Sequence, residues 1–111
     1  MRIAGMTNNF TFSIPSLDKQ PSLGAAFLFC AHAYPTATLY RFPTSTEQGT
    51  RSWMTQRYDE TLARVLTIAQ FLRSKGCESG TKVAIISNTR PEWCEVDLAI
   101  QLLGAITVSI Y

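Results

Sequence analysis

The clearest hydrophobic periodicity in the chain lies between Gln56 and Gly76. Apolar residues recur there at spacings of three and four, the pattern of one face of an α-helix. This apolar stripe contains Tyr58, Leu62, Val65, Ala69 and Leu72, and it is expected to be widened by Leu66, Ile68 and Phe71. Acidic residues near the start and basic residues near the end complement the helix dipole, and Gly76 is expected to end the helix. The segment is therefore predicted to be a long amphipathic helix.

A strand–helix–strand order follows this helix. The run Lys82–Ser87 is almost continuously apolar, which is typical of a strand buried on both faces in a parallel sheet. A helical pattern runs from about residue 91 to Gly104, and Ala105–Tyr111 is rich in β-branched residues. Two strands joined by a crossover helix are parallel, so the predicted fold class is α/β, a partial parallel-sheet βαβ layer with flanking helices. So few elements cannot cover both sheet faces, and an incomplete piece of a larger sheet is expected.

The first half of the chain is less regular. Residues 1–20 lack periodicity and are expected to form an irregular lead-in. Leu23–Ala33 is predicted to be a short buried helix that ends before the next proline, since the residue before a proline disfavours helical geometry. Ala37–Phe42 alternates and is predicted to be a strand. Pro43–Thr50 is polar and turn-like, and Arg51–Thr55 is expected to be the hairpin partner of that strand.

Two interpretations are open for the start of the helix near residue 91. Thr89 and Glu92 have the spacing of a capping box, in which each side chain accepts a hydrogen bond from the other's backbone N–H. Pro91 disfavours helical geometry at Arg90, so Arg90 could instead be the cap, with Pro91 as the first helical residue. Either interpretation explains this polar segment as a helix start, and we favour a structural role over a binding loop.

Composition and charge exclude several classes of protein. Hydrophobic residues make up 46% and charged residues 16% of the chain, which is ordinary for a folded domain. A net charge of +2 without a Lys/Arg cluster gives no reason to expect a nucleic-acid partner. The N-terminus lacks the continuous apolar core of a signal peptide. No stretch reaches the roughly 18 to 20 apolar residues of a membrane span, so no transmembrane segment is expected.

No residue is assigned a catalytic, cofactor-binding or metal-binding role. Glu95 and Asp97 follow the start of a predicted helix. They are expected to be surface groups that complement its dipole rather than a general acid/base pair. Ser87 lacks the Gly-x-Ser-x-Gly context of a nucleophile elbow. Tyr58 and Trp53 are expected to pack in the core or the hairpin rather than to stack on bases.

The cysteines and the single histidine give no sign of a metal site. Cys30, Cys77 and Cys94 are odd in number, far apart and in apolar contexts. They are expected to be buried free thiols in a reducing compartment. His32 lies in an apolar helical segment and is expected to be a packed or surface histidine. One histidine cannot complete a His/Cys cluster.

A set of short motifs in the second half of the chain carries a resemblance to a known family. They are the turn glycines Gly76 and Gly80, the strand Val83–Ile85, Asn88 with Pro91, Glu92 and Trp93, and Gly104, Ala105 and Val108. In this respect residues 55–111 resemble the N-terminal region of the adenylate-forming acyl-CoA synthetases, the AMP-binding enzyme family. The sequence Asn-Thr-Arg-Pro-Glu-Trp and the last two residues, Ile110 and Tyr111, are most similar to the long-chain fatty acid branch of this family. Ser79 and Ser109 stand where that family usually has proline.

This resemblance implies a fold, a reaction and a set of cofactors. It implies that residues 21–111 are the N-terminal portion of an AMP-binding domain, truncated at its C-terminal end. The parent enzyme would be an ATP-dependent fatty acid–CoA ligase that converts a carboxylate to an acyl-adenylate and then to an acyl-CoA, using ATP, magnesium and coenzyme A. The family's phosphate loop, adenine motif, ribose-binding Asp and catalytic Lys do not occur in this sequence. No catalytic residue is therefore carried over, and none of these cofactors is expected to bind this chain alone.

Other functions are open beside this one. The chain could be a non-catalytic remnant or interaction module of the same fold, which self-associates through an exposed sheet edge. It could also be a fragment of another adenylate-forming enzyme, either luciferase-like or a peptide-synthetase adenylation domain. The resemblance implies a cytoplasmic location and leaves open peripheral attachment to a membrane.

Overall fold

The computed structural model describes residues 19–111. In chain order the elements are α1 (Leu23–Ala33), β1 (Thr38–Ser45), β2 (Arg51–Arg57), α2 (Tyr58–Ser74), β3 (Lys82–Ile86), α3 (Pro91–Leu102) and β4 (Ile106–Ile110). The predicted helices and strands are all present. The irregular lead-in predicted for residues 1–20 lies outside the described residues, apart from its last two.

The strands of the described residues form two separate sheets. β1 and β2 pair as an antiparallel hairpin, and β3 and β4 pair in parallel. In the parallel pair, Lys82 lies opposite Ile106 and Ile86 lies opposite Ile110. Since α3 connects β3 to β4, this half of the chain is a βαβ unit. The predicted α/β class is confirmed.

Helix α1 packs closely against the end of α3. It begins after Ser22, whose hydroxyl accepts a hydrogen bond from the backbone N–H of Ala25 at 3.1 Å, a standard N-cap interaction. A Cβ atom placed on Gly24 would lie 3.2 Å from Cδ2 of Leu102 and 3.4 Å from the carbonyl carbon of Gln101. Glycine therefore allows the two helix backbones to approach at this point.

Helix α2 supplies the centre of the hydrophobic core. Val65 and Ala69 are buried there together with Phe27 of α1 and Ala99 of α3. The expectation that Leu66 and Phe71 widen the buried stripe is wrong, because their exposed fractions are 45% and 58%. Adjacent helical residues point about 100° apart. The helices and the hairpin that pack on α2 cover only its central stripe, which leaves these flanking residues outside.

Strand β3 is not buried on both faces, contrary to the prediction. Ile85 is buried on the helix side, whereas Ile86 points the other way and is 76% exposed. Side chains alternate across a strand, so apolar residues of both strands share the uncovered side. We call this surface the open sheet face; it consists of Ala84, Ile86, Ile106, Val108 and Ile110. Among the described residues, helices cover only the opposite face of this sheet.

The hairpin is longer than predicted. The run Pro43–Thr50 was expected to be a turn, but β1 continues through Ser45. Pro43 lies opposite Trp53 in the ladder. Proline cannot donate a ladder hydrogen bond, so it is tolerated on an edge strand. In the part of the chain that the structure describes, β1 pairs only with β2 and is such a strand.

Candidate functional site

A cleft of about 680 Å³ opens at the carboxyl ends of β3 and β4. Its walls are residues 87–90, Trp93 and Cys94 at the start of α3, and Ile86, Ile110 and Tyr111 at the strand ends. Open α/β sheets bind ligands outside the carboxyl ends of their strands. This cleft is therefore the candidate functional site.

The start of α3 forms the polar wall of the cleft. Arg90 is the N-cap in an extended conformation and Pro91 is the first helical residue, so the second of the two predicted helix starts is confirmed. The Arg90 guanidinium donates to both carboxylate oxygens of Glu92, from Nε at 2.8 Å and from Nη2 at 3.0 Å. This ion pair lowers the pKa of Glu92 to about 2. The two charges of this wall therefore neutralise each other.

Cys94 lies beside this wall, close to Tyr40 of β1. Burial raises the pKa of the Cys94 thiol, and the nearby carboxylates of Asp97 and Glu95 raise it further. Burial also raises the pKa of Tyr40. A nucleophilic cysteine needs a lowered pKa. Cys94 is thus a neutral packing residue and not an activated nucleophile.

Glu95 is the most deeply buried charged residue of the described chain, with 1% of it exposed. Oε1 accepts a hydrogen bond from Nε2 of Gln56 at 2.7 Å, and Oε2 accepts one from Nε of Arg64 at 3.0 Å. The same Gln56 amide nitrogen also donates to Oγ1 of Thr61 at 2.9 Å. We call Gln56, Thr61, Arg64 and Glu95 the buried polar network. It joins β2, α2 and α3.

The prediction that Glu95 and Asp97 are surface groups is therefore wrong. Glu95 lies one helical turn before the core residue Ala99 and on the same face, which points it toward α2. Asp97 is half-buried and accepts hydrogen bonds from Oγ1 of Thr107 at 2.6 Å and from Nε2 of Gln101 at 3.0 Å. The two carboxylates contact different elements, and each is held by structural partners.

The contacts and exposure of four other candidates, Ser87, His32, Tyr58 and Trp53, are those of structural residues. The hydroxyl of Ser87 donates to the backbone oxygen of Asn88 at 3.0 Å. His32 is exposed near the end of α1, which agrees with the surface position that was one of its two expected placements. Tyr58 stacks on Phe27 with ring centroids 6.2 Å apart, which confirms its core role. Trp53 is 60% exposed and lies outside the core, but its ring packs against Arg41 of the neighbouring strand, which confirms the expected hairpin position.

The described residues hold no metal-binding group of three or more His, Cys, Asp or Glu side chains. The three cysteines are free thiols. Cys30 and Cys77 are buried as predicted, whereas Cys94 is only half-buried.

The loop of the cleft differs in sequence from a phosphate cradle. Phosphate cradles use a glycine-rich loop with free backbone N–H groups and a lysine, whereas the loop here reads Ser-Asn-Thr-Arg. Its one guanidinium, that of Arg90, is already held by Glu92. The described residues of the cleft therefore lack the glycine-rich loop and the lysine of a phosphate cradle.

Across residues 19–111, no helix combines the length and the apolar character needed to cross a membrane.

Comparison with known sequences identifies a family. The family model described as AMP-binding enzyme matches residues 30–111. A long-chain-fatty-acid–CoA ligase of Mycobacterium bovis is 39% identical over 59 residues, which are 53% of this chain and 10% of that protein. The chain thus spans about a tenth of the length of this relative.

Comparison with solved structures gives the same fold. A fatty acyl-adenylate ligase from Legionella pneumophila, in complex with acyl adenylate and pyrophosphate, superposes with a TM-score of 0.76 and 20% identity, covering 88% of this chain and 16% of that one. A fatty acyl CoA synthetase from Mycobacterium tuberculosis gives a TM-score of 0.67 and 23% identity, covering 85% and 17%. The A-PCP didomain of a carboxylic acid reductase from Segniliparus rugosus, in complex with AMP, gives a TM-score of 0.64 and 20% identity, covering 85% of this chain and 16% of that one.

Proposed function

Since the chain belongs to the AMP-binding enzyme family, we propose that residues 21–111 are the N-terminal portion of the AMP-binding domain of an ATP-dependent fatty acid–CoA ligase. The 39% identity to a long-chain-fatty-acid–CoA ligase supports a fatty acid as the substrate of the whole enzyme. Residues 1–20 are proposed to be a lead-in to this domain.

The proposed role of this segment is structural. Two polar groups of its cleft are held by partners within the chain: the Arg90 guanidinium by Glu92, and the Ser87 hydroxyl by the backbone oxygen of Asn88. The buried carboxylate of Glu95 is held by Gln56. Groups that bind or activate a substrate need free donors, free acceptors or a shifted protonation state. We therefore assign no catalytic residue to the chain.

The open sheet face is the observation that carries this proposal. Ile86, Ile106, Val108 and Ile110 are between 41% and 76% exposed on one side of the β3–β4 pair. Burying apolar surface contributes about 25 cal/mol for each Å² removed from water, and a parallel sheet is normally covered on both faces. We infer that other parts of the AMP-binding domain cover this face.

ATP, magnesium and coenzyme A are the proposed cofactors of the whole enzyme. They are expected to be held by residues outside this cleft, because its loop lacks the glycine-rich sequence and the lysine of phosphate cradles. This chain alone is expected to bind none of them. The proposed enzyme is cytoplasmic.

One alternative also has support from the structure. Each strand of the β3–β4 pair has an unpaired outer edge within the described residues, and unpaired edges are templates for association. The chain could then be a non-catalytic module that self-associates. Another adenylate-forming activity, luciferase-like or of a peptide-synthetase adenylation domain, is a second alternative for the whole enzyme.

Exchange of labelled pyrophosphate into ATP in the presence of a long-chain fatty acid tests the structural role. The chain by itself is expected to give no exchange, and measurable exchange would refute the absence of catalytic residues. Reading the coding sequence downstream of Tyr111 tests membership of a longer ligase. A Ser/Thr/Gly-rich loop downstream supports the ligase, whereas a stop codon directly after Tyr111 favours the module.

Size-exclusion chromatography tests the self-association alternative. Val108→Lys places a charge in the middle of the open sheet face, so a monomeric variant indicates association through that face, whereas an oligomer that persists indicates association through the strand edges. A monomer of the unmodified chain with a sharp, cooperative melt would contradict both association and the need for a covering layer.

A further inference from the structure

The β1–β2 hairpin has a face that points away from the helices. Its inner face contains Gln56, which bonds to Thr61 of α2 and Glu95 of α3. On the opposite face, the ladder register places three pairs of side chains next to each other across the two strands. We call this set the outer hairpin face; it consists of Arg41, Pro43, Ser45, Arg51, Trp53 and Thr55. All six residues are exposed, and none is a carboxylate.

Trp53 and Arg41 form the centre of this face. The guanidinium carbon of Arg41 lies 6.0 Å from the centroid of the Trp53 ring, within the range of a cation–π contact. The indole is 60% exposed despite this contact. The paired strands hold the Trp53 ring and the Arg41 guanidinium next to each other on the surface, so the hairpin presents both groups without rearrangement.

We propose that the outer hairpin face docks on the anionic headgroups of a membrane. Guanidinium groups bind phosphate with paired hydrogen bonds, and indole rings favour the headgroup level of a bilayer. The cytoplasmic leaflet is anionic and attracts basic residues. Glu47, the one carboxylate in the hairpin segment 38–57, lies in the turn beyond the face. The outer hairpin face therefore combines an indole ring, which suits the membrane interface, with two arginine charges that no carboxylate on this face neutralises.

A bilayer suits this face better than an acidic protein segment. An acidic segment would be bound by Arg41 and Arg51 and would leave the Trp53 ring without a specific role. A bilayer uses both the charges and the ring. This inference names a surface for membrane attachment and rests on the proposed function only for the cytoplasmic setting, so vesicle binding and pyrophosphate exchange can fail separately.

Co-sedimentation of the full chain with lipid vesicles tests the proposal. Binding is expected with phosphatidylcholine vesicles that contain phosphatidylglycerol and not with phosphatidylcholine alone, and it should weaken as salt rises. Each arginine near an anionic surface should contribute about fivefold to partitioning, so Arg41→Gln with Arg51→Gln should lower it about 25-fold. Trp53→Ala should lower partitioning without changing the circular dichroism, since the ring is exposed.

Fluorescence and a control variant locate the contact. In a Trp93→Phe background only Trp53 emits, and its emission should shift to the blue with anionic vesicles. Val108→Ser, on the open sheet face, should bind as the unmodified chain does. The proposal is overturned if neutral vesicles bind equally well, if the arginine and tryptophan variants bind normally, or if Val108→Ser alone abolishes binding. It is also overturned if polyglutamate binds the chain while anionic vesicles do not.

Discussion

The buried polar network gives the sharpest test of how this chain is held together. Glu95→Ala removes a carboxylate that is 1% exposed and joins the hairpin to two helices. One N–H of the Gln56 amide then loses its acceptor, although the bond to Thr61 remains. Arg64 is 53% exposed at its side chain, so its guanidinium can return to water.

The expected cost follows from these contacts. A buried donor left without a partner costs about 1–3 kcal/mol, and loss of the buried methylene adds about 0.8 kcal/mol. Glu95→Ala should therefore lower the free energy of unfolding by about 3 kcal/mol. For a domain of this size each kcal/mol corresponds to roughly 4–8 °C in Tm. Glu95→Gln keeps the size and one acceptor but loses the charged bond to Arg64, and should cost about 1.5 kcal/mol.

Urea unfolding followed by circular dichroism measures both changes. Glu92→Ala is the matched control, because it lies on the same helix and is also paired with an arginine but is 45% exposed at its side chain. An exposed pair contributes less than about 1 kcal/mol. If Glu95→Ala costs no more than Glu92→Ala, the network does not hold the helices and hairpin together. Glu95→Gln keeps the comparison measurable if the alanine variant is mostly unfolded.

Three further results are expected. The carboxyl of Glu92 should titrate with a pKa of about 2 by NMR, and Arg90→Gln should raise it toward 4.5; an unchanged value would refute the ion pair. Because this pKa is lowered on folding, the stability from the pair is present above pH 4.5 and is lost as the pH falls toward 2, which urea unfolding of the chain and of Arg90→Gln would compare. Gly104→Ala should destabilise the chain more than Gly49→Ala. Both glycines have positive φ, but only at Gly104 does the added Cβ lie 3.2 Å from a neighbouring serine hydroxyl. Equal losses would contradict this packing.

The elements of the fold were largely predictable from the chain alone. In α2 the apolar residues are spaced three and four apart because they share the buried face of one helix. In α3, Pro91 marks the start of the helix and Gly104 follows its end. These signals are local and survive in the structure. The resemblance to AMP-binding enzymes rested on the same region, and comparison with the family confirmed it.

The positions of individual side chains were less predictable, because they depend on which neighbours are present. Glu95 is charged and near a helix start, so its sequence favoured an exposed site, whereas the face it shares with Ala99 turns it into the protein. Ile86 is apolar and was expected to be buried, but the described chain provides no layer over that side of the sheet. Trp53 faces outward because side chains alternate along β2 and Gln56, three residues later, points toward the helices. Tertiary contacts decide each of these cases.

Complementation of a truncated ligase tests the central claim most directly. The long-chain-fatty-acid–CoA ligase of Mycobacterium bovis would be produced without the segment that matches this chain, alone and together with the chain, and assayed for fatty-acid-dependent pyrophosphate exchange. No exchange is expected from either part alone; the pair should restore exchange, and Val108→Lys, which charges the open sheet face, should abolish it. Exchange by either part alone, or none from a folded and soluble pair, would contradict the claim that this chain is structural support for an adenylate-forming enzyme.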